Sequence, residues 1–346
     1  MSAGIGSDQA ARLRALVRDM QDGAQPSLSA PSAELARPHR PVPLAPSHAL
    51  PRQTARQSRA RILAIASGKG GVGKTTLAVN LAAAISEMGK RVTLIDGDLG
   101  LANADLLCGV RATRNIGDVL DGRCALHDAI ADTPYGFRVL PGASGLARLA
   151  ALGEREARVI VGRFAAMDTM SDIVLIDCGA GIGNIVHAFM LAADRSLIVT
   201  TPDPMAVTDA YALIKSLASR RCPTTGGRPG FSLVVNQAFD DGEAQSVCCR
   251  VGAVTRKFLG IELAGGCWVL EDDQVRIEGR HCRPFVVSAP RSDATGCVRR
   301  VAQSVLREFE MLPESPEGVG AMGRFASILR LITGAGKGAK IAETVA

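Results

Sequence analysis

The sequence predicts an α/β fold in which one doubly wound, mainly parallel β-sheet is covered by helices on both faces. The chain has 346 residues, and 47% of them are hydrophobic, which is enough for one large domain with additional tails. From residue 61 onward, short apolar runs alternate with stretches whose apolar residues recur at helical spacing. The runs are apolar along nearly their whole length, as is typical of parallel strands that are buried on both faces.

The predicted elements follow one another in the order that such a sheet requires. The first strand is RILAIAS at 61–67, and the helix after it carries Leu77, Leu81, Ile85 and Met88 at helical spacing. Further strands are predicted for RVTLID at 91–96, FRVLPG at 137–142, DIVLID at 172–177, SLIVTT at 196–201, FSLVVN at 231–236 and CWVL at 267–270. Helices are predicted around 242–259 and 293–310.

Both ends of the chain differ from the middle in composition. Seven of the seventeen prolines fall between Pro26 and Pro51, which predicts a disordered linker over 25–59. Ahead of it, DQAARLRALVRDM has helical spacing, so residues 1–24 are predicted to fold on a partner, with a frayed tail as the alternative. The remaining chain divides into a domain over 60–311 and a linker with a tail over 312–346.

The tail contains a short amphipathic stretch, GRFASILRLITG. Its apolar residues have the spacing i, i+3, i+4, i+7 and are flanked by arginines: Phe325, Ile328, Leu329 and Ile332, with Arg324 and Arg330. This pattern predicts an interfacial helix on an anionic membrane surface. A last helix packed on the domain is the alternative. One such helix binds weakly, so two copies in a dimer are expected to strengthen the attachment.

Charge and composition exclude several classes of protein. The formal net charge of +6 lies in the two ends, so the stretch 61–323 is close to neutral, and only 3% of residues are aromatic. These observations argue against nucleic acid as a partner. No apolar run reaches the 18–20 residues or so that a membrane-spanning helix needs. The nine cysteines form no CxxC pair, and no secretory signal is evident, so a reducing cytoplasm is expected.

A phosphate-binding loop is predicted between the first strand and the first helix. The pattern GxxxxGK[ST] is matched by Gly68-Lys69-Gly70-Gly71-Val72-Gly73-Lys74-Thr75-Thr76. Glycines allow successive backbone N–H groups to curve around a phosphate, and the helix that follows presents its positive dipole end. Lys74 is expected to reach the β- and γ-phosphates, and the Thr75 hydroxyl is expected to ligate Mg²⁺. All nine residues are therefore predicted to bind the nucleotide.

Acidic residues follow two of the predicted strands. LIDGDLGLANAD places Asp96 and Asp98 at the carboxyl end of the second strand, and DIVLIDCGAGIG ends its apolar run in Asp177. Residues i and i+2 of a strand share one side, so Asp96 and Asp98 are expected to face one crevice, where α/β sheets hold their ligands. Carboxylates that cap a helix are the alternative for this pair.

The stretch KGGVGKTT resembles the deviant Walker A motif of the MinD/ParA ATPases, and the resemblance covers about 60–310. It implies that Lys69 crosses to the phosphates of a second subunit in a nucleotide-sandwich dimer. It also implies that Asp96 lies near the Mg²⁺ shell, Asp98 orients the attacking water and Asp177 holds Mg²⁺ through water. The implied metal set is thus Thr75, Asp96 and Asp177, and the implied catalytic set is Lys69, Lys74 and Asp98.

Some positions depart from the family pattern or support it only weakly. Asn236 stands where the family uses an asparagine to pair with adenine, although an asparagine that merely forms a turn is the alternative. Cys178 replaces the more frequent Thr or Ser and is expected to lose a hydroxyl hydrogen bond. Leu270 replaces a proline of the loop that shapes the adenine pocket. Gly179 and Gly181 are expected to form the turn that senses the γ-phosphate.

Several phrases are similar to the flagellar MinD-like ATPases, the FlhG/FleN group. They are VLPGASGLARL, TTPDPMAVTDAYALIK and RPFVVSAP, with DQAARLR from Asp8 to Arg14 similar to the motif that engages the FlhF-type GTPase. The resemblance implies an Mg²⁺-dependent ATPase that forms an ATP-dependent homodimer on the inner face of the cell membrane and regulates flagellar number or placement. Flagellar switch-ring proteins or a flagellar transcription regulator are further expected partners.

Two other functions stay open on the sequence. One is a septum- or chromosome-positioning MinD/ParA ATPase, although the near-neutral middle of the chain argues against a protein that coats DNA. The other is a non-catalytic nucleotide-binding adaptor that acts through its N-terminal helix and docking surfaces. The intact set of lysines and aspartates around the predicted loop argues against an adaptor.

Overall fold

The computed structural model describes residues 60–98, 102–142, 167–222 and 227–312. The predicted segments 1–24 and 25–59 lie outside the described residues, as does the amphipathic stretch of the tail and most of VLPGASGLARL. Among the described residues, no helix is long and apolar enough to cross a membrane.

Eight strands and eleven helices lie within the described ranges. The strands are β1 (Arg61–Ser67), β2 (Val92–Gly97), β3 (Ala131–Asp132), β4 (Arg138–Leu140), β5 (Ile173–Ala180), β6 (Arg195–Thr200), β7 (Phe231–Ala238) and β8 (Gly266–Leu270). The helices are α1 (Lys74–Glu87), α2 (Ala104–Leu107), α3 (Ile116–Leu120), α4 (Leu126–Ala129), α5 (Met167–Met170), α6 (Asn184–Ala192), α7 (Pro204–Leu217), α8 (Asp241–Leu259), α9 (Asp273–Arg280), α10 (Phe285–Ser288) and α11 (Asp293–Met311).

The strands form one sheet in the order β3-β4-β2-β5-β1-β6-β7-β8. Every neighbouring pair is parallel except β3 and β4, which are antiparallel. The predicted fold class is therefore confirmed, and all seven predicted strands are present. The sequence did not predict β3, because its two residues, Ala131 and Asp132, form no apolar run.

Side chains alternate along the strands and supply a hydrophobic core on each face of the sheet. In β1, Ile62 and Ala64 belong to the core that contains residues of α6, α7 and α8. Leu63 and Ile65 point to the other face, where the core contains residues of α1 and α11. All four side chains are essentially inaccessible to solvent. This alternation explains why the strand sequences are apolar throughout, since both faces are covered.

The parallel arrangement brings the carboxyl ends of seven neighbouring strands to one edge of the sheet, here called the carboxyl edge. These strands are β4, β2, β5, β1, β6, β7 and β8. The predicted phosphate loop follows β1, Asp98 directly follows β2, and Asp177 lies in the second half of β5. Open parallel sheets bind their ligands at this edge, so the fold places the candidate site there.

The opposite edge, here called the amino edge, holds the end of α11. Glu308 accepts a hydrogen bond from the Ser232 hydroxyl, which lies 2.8 Å and 3.0 Å from its two oxygens, and forms an ion pair with Arg195 at 3.5 Å. Arg61 Nη2 donates to the carbonyl oxygen of Leu312 at 3.2 Å. These contacts fix the last described residues against the first residues of β1, β6 and β7.

Candidate nucleotide-binding site

The loop between β1 and α1 has the backbone conformation that a phosphate cradle requires. Gly71 and Gly73 have φ angles of 82° and 80°, a left-handed conformation that glycine adopts without strain. Gly73 caps α1, and no side chain caps the helix and no acidic residue lies in its first turn. The first N–H groups of this fourteen-residue helix therefore remain available to an anion, together with the helix dipole.

Lys74, in the first turn of α1, forms a buried ion pair with Asp177 in the second half of β5. The Nζ atom donates to Asp177 Oδ1 at 2.5 Å, and the two side chains are 7% and 0% exposed. Burial raises the pKa of Asp177, and the charge of Lys74 and the Thr75 hydroxyl oppose that rise. The structure thus brings three predicted site residues together: Lys74, Thr75 and Asp177.

The second oxygen of Asp177 fits a role at a metal ion. Asp177 Oδ2 is buried and has no hydrogen-bond partner among the described residues. A buried carboxylate oxygen without a partner is costly unless something fills its place. With the Thr75 hydroxyl beside it, the oxygen forms part of an all-oxygen set, which Mg²⁺ prefers, usually with several waters and substrate phosphates. The residues present therefore fit Mg²⁺.

Asp96 lies next to Asp177, but its carboxylate is used by the backbone. The two residues are register partners on β2 and β5. Asp96 Oδ2 accepts hydrogen bonds from the N–H groups of Asn103 and Ala104 at 2.8 Å and 3.0 Å, and Oδ1 accepts one from Asp98 N. These bonds satisfy the start of α2. Asp96 therefore makes the helix-capping contacts considered above as an alternative, directly beside the Asp177 carboxylate.

The environment of Asp96 also changes its acidity. Burial is the main cause that raises its pKa to about 7, and the neighbouring charge of Asp177 adds to the effect. The three backbone N–H donors act in the opposite direction. A carboxyl group that titrates near neutrality beside Asp177 gives this part of the site less negative charge than two ordinary aspartates would have.

Asp98 approaches the turn that follows β5. A Cβ atom placed on Gly179 would lie 3.6 Å from Asp98 Oδ1, an ordinary contact distance, so the Asp98 carboxylate lies directly beside Gly179. Gly181 has a φ angle of 92°, and its N–H donates to Ser67 O at 2.9 Å, which ties this turn to the start of the phosphate loop. Asp98 thus lies beside Gly179, and the turn at Gly181 is held to the last residue of β1.

Lys69 projects from the loop toward solvent and pairs with a residue that the sequence analysis did not assign. Its Nζ lies 2.9 Å from Asp203 Oδ2, and the two side chains are 46% and 44% exposed. The hydrogen bond to Asp203 is the main cause that raises the pKa of Lys69. Asp203 also caps α7 by accepting from Met205 N. The Asp203-Pro204 step was the available signal, because an Asp followed by a Pro is typical of a helix N-terminus.

The first glycine of the loop packs directly on α7. A Cβ atom on Gly68 would lie 2.1 Å from the carbonyl oxygen of Asp209, so no larger residue fits without moving the helix. Asp209 belongs to the TDAYALIK phrase, which starts at Thr208. The segment that resembles the flagellar group therefore packs directly against the start of the phosphate loop.

A cavity of about 400 Å³ opens beside the loop at the ends of β7 and β8. Its lining combines apolar side chains with an acidic rim, and includes Gly73, Thr76, Leu77, Asn236, Val269, Leu270, Glu271, Asp272, Arg276, Phe285 and Val298. Asn236 Nδ2 donates to the carbonyl oxygen of Val72 at 2.8 Å, so the predicted base-pairing residue stands between the loop and the cavity. The size and the lining suit a planar polar group such as a nucleobase.

Two departures from the family pattern have different structural settings. The Cys178 side chain is completely buried within the core on the α6 side of the sheet, where burial raises the pKa of its thiol. Its Sγ atom lies 3.7 Å from Ile176 O. The position therefore contributes packing. Leu270, in contrast, lines the cavity itself, and its side chain helps to shape that wall.

Comparison with known proteins reveals clear relatives. A family profile described as an AAA domain matches residues 60–221. The chain is 36% identical over 258 residues to the antiactivator FleN of Pseudomonas aeruginosa, an alignment that spans 75% of this chain and 90% of FleN. It is 31% identical over 270 residues to the septum site-determining protein MinD of Bacillus subtilis, over 75% of this chain and 95% of that protein.

Similarity also extends to solved structures. The septum site-determining protein MinD of Pyrococcus horikoshii, solved as a complex with Mg-ADP, superposes with a TM-score of 0.57 and 27% sequence identity. The superposition covers 73% of this chain and all of that protein. The shared fold therefore covers the part of the chain in which the phosphate loop, the aspartates and the cavity lie.

Proposed function

The chain belongs to the MinD/ParA family of P-loop ATPases, in its flagellar FlhG/FleN group, and on that basis we propose that it is an Mg²⁺-dependent ATPase switch. ATP joins two copies, the dimer associates with the inner face of the cytoplasmic membrane, and the cycle regulates flagellar number or placement. The proposal rests on one observation: Lys74 of the glycine loop is buried in an ion pair with Asp177, whereas Lys69 of the same loop is exposed.

The residues around the loop divide the work of binding the triphosphate. The glycine loop and the first turn of α1 present N–H groups to the phosphates, and Lys74 offsets the charge of the β- and γ-phosphates. Thr75 and Asp177 would hold Mg²⁺, which when bound neutralises charge on the phosphate oxygens. Asn236 and the cavity beside it would take the adenine.

Asp98 is proposed to position the attacking water. Its carboxylate lies beside Gly179 at the same edge of the sheet as Lys74 and Asp177, and its charge contributes to the raised pKa of Asp177. A carboxylate at that place can accept a hydrogen bond from a water and direct the water's oxygen toward the γ-phosphate. Asp96 holds the adjoining segment, through its bonds to Asn103 and Ala104.

Lys69 is proposed to act on the second subunit. Because its ion pair with Asp203 is exposed to solvent, exchanging that partner for a phosphate carries little penalty. A lysine that reaches the phosphates only from another subunit makes turnover depend on dimer formation, in the manner of an arginine finger supplied in trans. The segment from Asp8 to Arg14 is proposed to engage an FlhF-type GTPase.

The trans role of Lys69 predicts the behaviour of a Lys69→Ala variant. We expect the parent to form dimers with Mg²⁺ and an uncleavable ATP analogue and to be monomeric with ADP, as measured by analytical ultracentrifugation. The variant should remain monomeric with the analogue, and its phosphate release should fall by about 10³-fold, the lower end of the effect of an arginine finger.

A matched control is Lys90→Ala, which removes an exposed lysine beyond the end of α1, away from the carboxyl edge. It should behave like the parent in both measurements. A parent chain that stays monomeric when saturated with the analogue contradicts the proposed switch. Dimer formation with no phosphate release by the parent, even with anionic vesicles present, would instead indicate the non-catalytic adaptor.

The membrane step is tested by sedimentation with vesicles that contain anionic lipid. We expect the parent to pellet with vesicles several-fold more in the presence of the uncleavable analogue than with ADP, because a dimer offers two tails. An Ile328→Glu variant places a charge on the predicted apolar face and should lose most of the binding, whereas Thr333→Ser should not. Equal pelleting with the analogue and with ADP would contradict the proposed membrane switch but not the proposed nucleotide site.

A further inference from the structure

The amino edge of the sheet carries a cluster of cations that the nucleotide site does not use. This basic patch consists of Arg220, Arg221, Arg228, Arg256 and Lys257, and all five residues are exposed. The sequence around it contains no acidic residue over 210–239 and none over 244–261. A cluster of this kind stands out because the stretch 61–323 as a whole is nearly neutral.

Contacts between the ends of two helices bring the patch together. Arg228 Nη1 donates to the carbonyl oxygen of Gly260, which caps α8 three residues after Lys257. On the α7 side, Cys222 N donates to Gly227 O at 2.8 Å, which places Arg220 and Arg221 next to Arg228. Glu262, which pairs with Arg256 at 3.2 Å, offsets one of the charges.

The patch also exposes an aromatic ring. Phe258 is 65% exposed at the end of α8, and Lys257 Nζ lies 5.3 Å from the centre of its ring. Attraction to the helix dipole explains cations in the last turn of α8, but Arg220, Arg221 and Arg228 lie outside the helices, and the dipole does not account for an exposed phenylalanine. An aromatic ring rimmed by cations is typical of a surface that meets an anionic membrane interface.

The patch lies on the edge at which the chain continues toward its tail. Gly230, two residues after Arg228, lies against the Arg195 side chain, since a Cβ atom on Gly230 would be 2.2 Å from an Arg195 nitrogen. Arg195 in turn pairs with Glu308 near the end of α11. Leu312, after which the sequence continues into residues 313–346 with the predicted interfacial helix, lies at this same edge. The patch and the origin of the tail therefore share this edge, with the patch on the face covered by α7 and α8 and Leu312 on the face covered by α11.

We infer that the basic patch is a second membrane contact, which binds the headgroups of anionic lipids while the tail inserts its apolar face. This inference rests on the proposed membrane association. The tail holds the patch within reach of the surface, so each contact raises the effective concentration for the other. A DNA backbone would also attract these cations, but the exposed Phe258 and the origin of an apolar tail at the same edge of the sheet favour a lipid surface.

The test compares three full-length proteins, each with Mg²⁺ and the uncleavable ATP analogue. They are the parent, an Arg221→Gln/Lys257→Gln double variant, and a matched control, Arg111→Gln/Arg114→Gln, which removes two exposed arginines from the loop before α3. That loop lies at the carboxyl edge, since Ile116 N donates to Pro141 O just beyond β4. Unchanged dimer formation by each variant establishes that it folds and binds nucleotide.

Binding is measured on vesicles of phosphatidylcholine with about a third phosphatidylglycerol. Each cation near an anionic surface strengthens binding about fivefold, so the patch variant should bind roughly 25-fold more weakly than the parent, and the control within about twofold. The difference should shrink at high salt and disappear on pure phosphatidylcholine vesicles. A Phe258→Ala variant should also bind more weakly.

The other outcomes are distinct. A parent that does not bind the anionic vesicles overturns both the proposed membrane association and this inference. Equal binding by the parent and the patch variant overturns this inference alone. A patch variant that keeps its vesicle binding but loses retention on a DNA duplex at physiological salt would assign the patch to nucleic acid and overturn the lipid contact.

Discussion

Replacing Lys74 with methionine is expected to abolish ATP hydrolysis and also to destabilise the folded protein. The first effect follows from the loss of the charge that offsets the phosphates. The second follows from the partner that Lys74 leaves behind, because Asp177 is fully buried and already has one oxygen without a hydrogen bond. Removing one member of a buried ion pair typically costs about 3–5 kcal/mol. Urea unfolding of the nucleotide-free protein measures this loss.

A second substitution separates the two effects. In Lys74→Met/Asp177→Asn, no uncompensated charge remains, so most of the lost stability should return, whereas hydrolysis should stay absent because both the lysine and the carboxylate are missing. Asp177→Asn alone should also lack activity. A double variant that unfolds as readily as Lys74→Met would show that the pair is not the source of the instability.

The pH dependence gives an independent check on the same pair. Burial raises the pKa of Asp177, and removing Lys74 takes away the main opposing charge, so the folded variant binds a proton that the unfolded chain releases. When a carboxyl group has a higher pKa in the folded state, the protein loses stability as the pH rises from the unfolded-state pKa to the folded-state pKa. The stability deficit of Lys74→Met relative to the parent should therefore shrink when the pH is lowered from neutral toward 4.

Replacing Asp98 with alanine is expected to stop hydrolysis without preventing the ATP-dependent dimer. A side chain that only positions and polarises the attacking water supplies about 10²–10⁴-fold in rate, while the phosphate-binding groups on the loop are unchanged. Phosphate release should therefore fall by at least about 100-fold, and dimers formed with ATP itself should persist instead of decaying. Phosphate release and ultracentrifugation with ATP measure the two effects on one sample.

Asp132→Ala is a suitable control for the change in charge, because Asp132 is exposed on the edge strand β3. It should leave both properties as in the parent. An Asp98→Ala variant that fails to dimerise would instead assign Asp98 to nucleotide binding. Unaltered phosphate release would place the water-positioning group elsewhere in the site.

The local features of this protein were predictable because each depends on a few neighbouring residues. The strand that begins at Arg61 and the helix that begins at Asp293 follow from apolar spacing, and the left-handed glycines at positions 71 and 73 follow from the phosphate-loop pattern. The two-residue strand β3 was not predictable, because pairing with β4 creates it and no pattern of its own marks it.

The sequence by itself determined the fold class, the phosphate loop and the identity of the charged groups that surround it. Only the tertiary structure decided which of those groups meet. The sheet inserts β5 between β1 and β2, so Lys74 pairs with an aspartate 103 residues away, and Asp96 stands beside that aspartate while it caps α2. The partner of Lys69, Asp203, likewise comes from a distant segment, the N-terminus of α7. Spacing along a chain fixes the conformation of each segment, whereas contacts between segments depend on the strand order, which the local pattern does not contain.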